Sequence, residues 1–341
     1  MSAVLARSDF LRTPVLATAR PDGFKEWYHF VVHRPGSRIL INFSLNSEVS
    51  TDGRPRLTPR VIVIAHDDQR WTGGIERFEE AELDVSADLG VLTVGGNQMT
   101  VRPDGYRVVI DLPGHDIRGE LDLTSMSRPF AVNNQPVGDG RVSWLFVPRL
   151  RADGWLRLGG QEIRFEGNVA YHDHNWGRFR WGGDFSWTWG AILPSGPDDP
   201  WSLVFQQMTD RRRLRCLYQA LWVWRHDEPA TIFRHAAVQT RTDGLLGRAA
   251  DCTLPPPMRL VLGGEASDVP ERIEIAATRA GDAVHAEFKP QSYARLAQPS
   301  EVCLDRSVVL CESNGSARVT GSINGEDIDF VGDGVFELLH G

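Results

Sequence analysis

An all-β fold is what this sequence predicts, and three observations predict it. Apolar and polar residues alternate at the period-2 spacing of strands along most of the 341 residues. Turn signals built on Gly, Pro, Asn and Asp interrupt those runs at short intervals. Stretches with a helical period are scarce. Short strands joined by such turns make sandwiches or barrels, and the length exceeds what a single core usually serves. Two consecutive β-domains are therefore expected, at 1–185 and 186–341.

The elements follow in order. "SRILINFSLN" (37–46) and "RVIVIAHDD" (60–68) are Ile/Val-rich runs of strand length. "ERFEEAELDV" (76–85) is ambiguous between helix and strand. "LTVGGNQMTV" turns at Gly95-Gly96, and "MTVRPDGYRVVIDL" at Pro103-Asp104-Gly105. "GWLRLGGQEIRFEG" is a hairpin pattern around Gly159-Gly160, and "ARVTGSINGEDIDFVG" places Asn324-Gly325, the strongest short hairpin signal, between alternating flanks. "PSGPDDP" (194–200) reads as a connector, and "QSYARLAQ" (291–298) could form a turn or two of helix.

Composition excludes several partners. The net charge of −8 argues against nucleic acid and anionic membrane, which both select basic surfaces. No stretch is apolar for long enough to span a bilayer, so no integral membrane segment is expected, and membrane contact is limited to a transient role in substrate uptake. The opening "MSAVLARSDFLRTPVLATARPDG" has no continuous apolar core of the kind a secretory signal needs. Cys216, Cys252, Cys303 and Cys311 show no C-x-x-C spacing and read as reduced thiols. A cytoplasmic protein with a hydrophobic small-molecule partner is the expectation.

The residues that carry chemistry concentrate between 144 and 224, where nine of the 11 tryptophans lie. "YHDHNWG" (171–177) sets Tyr171, His172, Asp173, His174, Asn175 and Trp176 in a row. On a strand, alternation puts His172, His174 and Trp176 on one face and Tyr171, Asp173 and Asn175 on the other. H-x-H can supply two imidazoles to a metal, but His29, His33, His66, His226 and His235 are scattered without ligand spacing, so neither a metal nor a cofactor is expected. An Asp between two His can do proton chemistry, or the three can simply tie down a strand end. "FSWTWGAIL" (185–193) and "ALWVWRH" (220–226) place Trp187 with Trp189 and Trp222 with Trp224, each pair an indole wall on one side of a sheet. Such walls suit an apolar polyene or isoprenoid and can stabilise a carbocation; they suit sheet packing too.

On these residues the chain resembles the carotenoid 1,2-hydratase (hydroxyneurosporene synthase) and AttH-like family. "YHDHNWG" followed by "WTWG" carries the likeness, with "FKEWYHFVVHRPGSRILINFSL" similar to that family's Glu-Trp-Trp-Tyr opening, Trp27-Tyr28-His29 standing for the aromatics. The resemblance implies two lipocalin-like β-domains enclosing a hydrophobic cavity, and chemistry on polyenes or isoprenoids. It implies catalysis by His174 and Trp176 and by a Tyr-x-Asp on a following strand. Here that strand reads Phe205-Gln206-Gln207, with Asp210 beyond, so Asp173, Asp184 or Asp210 would have to supply the acid. Asp173, His174 and Trp176 are the expected catalytic residues. Tyr28, Tyr171, Asn175, Asp184, Trp187, Trp189, Phe205, Gln207, Trp222 and Trp224 are the expected substrate-binding set.

Three functions fit. A hydratase adds water to a C=C bond through a tertiary cation, with Asp173 as acid, Trp176 and Trp187 or Trp189 shielding the cation, and His174 guiding water. A pericyclase or isomerase folds a polyene and polarises a carbonyl with hydrogen-bond donors such as Gln. A lipocalin-like carrier only binds. If no structural metal is needed, chelator treatment should leave the melting temperature unchanged; a fall on chelation would assign a metal to the fold, since its binding energy is part of folding.

Overall fold

The computed structural model describes residues 8–13, 23–49, 55–67, 70–195, 199–246, 269–303 and 306–340. Twelve strands form one antiparallel sheet: β1 (Phe24–Arg34), β2 (Ser37–Val49), β3 (Pro55–Asp67), β4 (Arg70–Arg77), β5 (Leu83–Val85), β6 (Val91–Val94), β7 (Asn97–Arg102), β8 (Gly105–Leu112), β9 (Ile117–Ser125), β10 (Phe130–Val137), β11 (Gly140–Leu158) and β12 (Gln161–Arg178). Their order is β4-β3-β2-β1-β12-β11-β9-β8-β7-β6-β5, with β10 pairing β11. Nine more form a second sheet: β13 (Ser186–Pro194), β14 (Trp201–Thr209), β15 (Cys216–Arg225), β16 (Glu228–Arg234), β17 (Val238–Asp243), β18 (Arg272–Arg279), β19 (Asp282–Pro299), β20 (Ser307–Ile323) and β21 (Glu326–His340). Their order is β16-β15-β14-β13-β21-β20-β19-β18-β17. The all-β fold class is as expected, and the chain divides into two compact units after Phe179, a short stretch at the start of β4 clustering with the second.

Turn chemistry fixes the hairpins. Leu158 pairs with Gln161 across Gly159-Gly160, and Ile323 pairs with Glu326 across Asn324-Gly325. All four turn residues have positive φ, between 53° and 81°. That is the left-handed pair a two-residue hairpin of matching twist requires, and Gly and Asn reach it at least cost. "PSGPDDP" joins β13 to β14, with residues 196–198 outside the described residues.

Two expectations change. "QSYARLAQ" is not helical: residues 292–299 pair residue by residue with 307–314 of β20. Partners on a long neighbouring strand outweigh a weak local preference. The ambiguous "ERFEEAELDV" divides into the end of β4, a 3₁₀ turn at Glu80–Glu82 and β5. Of the cysteines, Cys216 is exposed, Cys303 half-buried and Cys311 buried, while Cys252 lies outside the described residues. No helix among the described residues is long and apolar enough to cross a membrane.

Each sheet has one face on its own apolar core. In the first unit that face carries Tyr28, Phe30 and Val32 of β1 with Ile39, Ile41, Val61, Val63, Leu145 and Val147. In the second it carries Phe205, Leu221, Val223, Phe288, Phe336 and Leu338. Alternation then sends the intervening residues, among them Trp187, Trp189, Trp222 and Trp224 of the second sheet, to the opposite face.

Gly190 permits the tightest part of the second core. A Cβ there would lie 2.6 Å from the ring of Phe336, which stacks on Phe288 with centroids 4.3 Å apart. Gly190→Ala should therefore destabilise the protein by about 1–3 kcal/mol in urea unfolding, the usual cost of overpacking. An unchanged midpoint would mean that the Phe336 ring has room to move.

Candidate functional site

β1 and β12 are neighbours in antiparallel register, with Glu26 opposite Trp176, Tyr28 opposite His174 and Phe30 opposite His172. These six side chains share the core face of the first sheet. Their rings form a stack: Tyr28 lies on His174 with centroids 3.8 Å apart, Phe30 on His172 at 4.3 Å, and Trp176 is tilted against His174 at 4.9 Å. Tyr106 of β8 leans on His172 from another side at 4.3 Å.

Two imidazoles on an apolar face need polar partners, and a segment distant in sequence supplies them. Asp9 is fully buried and lies between both rings, its Oδ1 2.5 Å from His174 Nδ1 and its Oδ2 3.1 Å from His172 Nε2. Tyr106 donates its hydroxyl to Asp9 Oδ2 at 2.6 Å. Glu26 Oε1 lies 2.8 Å from His174 Nε2. The backbone N–H of Arg12 donates to Glu26 Oε1 at 2.6 Å and that of Thr13 to Oε2 at 2.7 Å, joined by the Thr13 hydroxyl. The Arg12 guanidinium sits over the rings of Phe10, at 3.4 Å, and Trp176, at 4.7 Å.

Both nitrogens of His174 therefore face carboxylate oxygens, the arrangement of an imidazolium donating twice. Burial alone would push its pKa down, but Asp9 and Glu26 outweigh burial and hold it above the ordinary histidine value. Burial likewise favours a protonated Asp9, but the facing His174 and the hydrogen bonds from His172 and His174 keep its carboxyl far below the usual range. His172 donates from Nδ1 to the carbonyl of His29 at 3.0 Å, and burial pushes its pKa down. The Tyr28 and Tyr106 phenols are pushed well up, first by burial and then by Asp9.

The parity expected for the opening motif holds: His172, His174 and Trp176 share one face, where Tyr28 packs with them. Asp173 does not join them. It lies on the opposite face of β12, opposite His29 in register, and its Oδ1 accepts from Asn175 Nδ2. The carboxylates that hold His174 are Asp9 and Glu26, because residue 173 must point away from residue 174 on a strand. Tyr171, also on that opposite face, is buried. Burial also pushes His29 down to about 3.

Asp184 and Asp210 are not buried acids. Asp184 is exposed and accepts from the Arg211 backbone, and Asp210 accepts from that of Leu214. Both are loop ties of the sort short acidic side chains commonly make. Phe205 faces the second core, and Gln207 on the same side donates to Gln219 and Thr240. The residue of "FQQ" that shares the tryptophan face is Gln206, opposite Trp189. Trp187, Trp189, Trp222 and Trp224 do occupy one face of the second sheet, the face away from its core, and all four are at least nine-tenths buried.

Sequence reasoning missed Glu26, although a signal was present: a single acid on the otherwise apolar parity of "FKEWYHF" needs a buried partner. Asp9 carried no such signal, since the segment 8–13 has no strand period to orient it. Among the described residues no group of three or more His, Cys, Asp or Glu is arranged to hold a metal ion.

No family model matches the chain, and no curated protein does. Solved structures do. A protein of Nitrosomonas europaea assigned to AttH matches with a TM-score of 0.62 at 13% identity, covering 93% of this chain and 92% of its own. CghA, in complex with Sch210972, matches with a TM-score of 0.61 at 12% identity over 94% and 89% of the two chains. Kievitone hydratase from Nectria haematococca matches with a TM-score of 0.57 at 10% identity over 93% and 89%. The two-sheet fold is the one these structures have, as the resemblance in "YHDHNWG" led one to expect.

Removing one charge from the Asp9–His174–Glu26 cluster leaves the others buried and unpaired, at a cost of about 3–5 kcal/mol. Asp9 is held low, so its contribution is present above 3.8 and is lost as pH falls. His174 is held high, so its contribution is complete below 6.5 and is lost as pH rises through its folded value. In urea unfolding, Asp9→Asn should be less stable than wild type by that amount near neutrality, and the gap should narrow as pH is lowered towards about 2. A gap independent of pH would show that Asp9 does not carry a charge in the folded protein.

Proposed function

We propose that the protein is a hydratase-like enzyme that adds water across a C=C bond of an isoprenoid or polyene. The observation that supports this best is the face shared by Trp187, Trp189, Trp222 and Trp224. Protonating an unactivated alkene leaves a tertiary cation, and indole π faces stabilise cations by electrostatic attraction while keeping bulk water out. A neighbour with this fold, kievitone hydratase, is named for hydration.

His174 acts in this reading as a positioning residue. Both its nitrogens are committed to Asp9 and Glu26, so it orients Tyr28 and Trp176, against which it packs, and does not handle the water itself. Asp173 with Asn175 and Tyr171 belongs to the other face of β12, and any catalytic part they play is played there.

Cyclisation is the second reading, and Gln206 favours it. Its amide shares the tryptophan face and could polarise a substrate carbonyl, which an acid-free pericyclic reaction requires. Incubation with a lycopene-type polyene and with a polyene tetramate, followed by mass analysis, separates the outcomes. Hydration should appear as a product heavier by one water. An isomer of unchanged mass selects cyclisation, and recovery of both compounds bound but unaltered makes the protein a carrier.

A further inference from the structure

Hydration needs an acid, and none of the three aspartates expected to supply it lies on the tryptophan face. The strand register of the second sheet points to another source. Gln206 on β14 is opposite Trp189 on β13, Trp189 is opposite Glu337 on β21, and Glu337 is opposite Glu312 on β20. These four residues therefore form one row across four adjacent strands, all on the face away from the second core. Glu312 is 3% exposed and Gln206 7%, while Glu337 is half-buried. The Trp187 indole N–H donates to Glu337 Oε1, and Phe185 stacks on that indole at 5.7 Å.

Two carboxylates directly opposite each other on neighbouring strands repel, and Ala294 of β19, opposite Glu312 on its other side, carries no charge. β13 and β14 carry no titratable side chain, and the nearest residues of the same parity are Leu339 and Val335 on β21 and Leu310 and Asn314 on β20. Arg213 is nearby, but it donates to the backbone carbonyls of Trp187 and Leu339. The pair is relieved most simply by holding one proton between its members. Burial pushes the Glu337 carboxyl above the ordinary glutamate value, and hydrogen bonds with Glu312 and Trp187 offset this only in part.

Gln206 is an independent observation. The residue is 7% exposed on the same face, and its amide has no hydrogen-bond partner among the described residues. An unpartnered amide that faces an aromatic wall is placed to meet a polar atom of a ligand. Two strand spacings separate it from Glu337, roughly 10 Å.

We propose that Glu337 and Glu312 share a proton that Glu337 delivers to a substrate alkene lying against Trp187 and Trp189, while Gln206 binds an oxygen of that substrate. The inference rests on the hydration reading and adds the acid to it. The substrate class is a mainly apolar, unsaturated molecule with a hydrogen-bonding oxygen about 10 Å from the reacting double bond. In the step, the Glu337 O–H bond breaks and a C–H bond forms at one alkene carbon, leaving the cation on the other. A water molecule then forms the C–O bond, and the proton it loses returns to the carboxylate pair. Alkene and water give alcohol, with no oxidant or cofactor. Glu337 is the catalytic residue and Glu312 a positioning residue that keeps its proton in place.

Three measurements test this. Difference infrared spectra of wild type against Glu337→Gln near neutral pH should show the C=O stretch of a protonated carboxyl that shifts in D2O. No such band in wild type would overturn the proposal. With lycopene as probe, Glu337→Gln should lower hydration by about 10²–10⁴-fold, the usual effect of losing one acid. Glu312→Gln, which keeps a hydrogen-bonding neighbour but not the shared charge, should instead move the alkaline limb of the rate–pH profile. Both variants should melt within a few degrees of wild type, because each amide preserves shape and acceptor. Hydration by Glu337→Gln at the wild-type rate would sink the proposal and leave the hydration reading standing. A protonated carboxyl in a wild type that hydrates no probe would sink the hydration reading and leave the proton pair. For Gln206, tryptophan quenching should show farnesol bound about tenfold more tightly than farnesene, one net hydrogen bond, with the preference lost in Gln206→Leu. Equal binding in wild type would remove Gln206 from the site.

Discussion

The interior of the first unit depends on one interaction, the imidazolium of His174 clamped between Asp9 and Glu26. Placing these charges in an apolar core costs several kcal/mol for each ion, and only close pairing with full hydrogen bonding offsets that cost. The surrounding geometry answers that demand. Glu26 reaches His174 from the adjacent strand. The segment at 8–13 runs over the sheet so that Asp9 serves both histidines and the backbone at Arg12 and Thr13 fills the remaining lone pairs of Glu26. Leu11 of that segment is itself buried, and its N–H bonds the Leu89 carbonyl, so the polar clamp and the apolar packing order the same stretch.

Strand alternation then decides what each face can do. With two residues per repeat, a strand that commits His172, His174 and Trp176 to the core must send Tyr171, Asp173 and Asn175 the other way. The same rule separates Gln206 from Phe205 and Gln207 in the second unit, and it assembles Gln206, Trp189, Glu337 and Glu312 although they are far apart in the chain. A side chain's chemistry is set by its parity and its register partners more than by its neighbours in sequence.

That is why the sequence was legible in some places and opaque in others. Hairpins at Gly159-Gly160 and Asn324-Gly325 could be read because two adjacent residues determine them. The grouping of His174 with Trp176 could be read because it needs only local parity. The separation of Asp173 from His174 could be read from the same parity, and the structure keeps Asp173 on the other face, bonded to Asn175. Asp9, 165 residues from its histidine, is placed by the packing of a segment outside the strands, and the Glu312–Glu337 pair by long-range register; no local pattern encodes either. The strand "QSYARLAQ" failed for the same reason: its partner on β20 decides it.

The two carboxyl clusters end in opposite states, and that difference argues for their roles. In the first unit the imidazolium of His174 faces Asp9, so the carboxyl stays ionised, and His172 and Tyr106 close in on its other oxygen. Such a group has no proton to give, and its net effect is to hold segments together. In the second unit Glu337 faces another acid and an indole, and its charged form is penalised. A carboxyl kept neutral by its surroundings is the form that can protonate a substrate near neutral pH. The closed pairing of the first site and the strained pairing of the second point the same way: the His174 cluster ties segments of the scaffold together, and the acid we propose is placed on the tryptophan face.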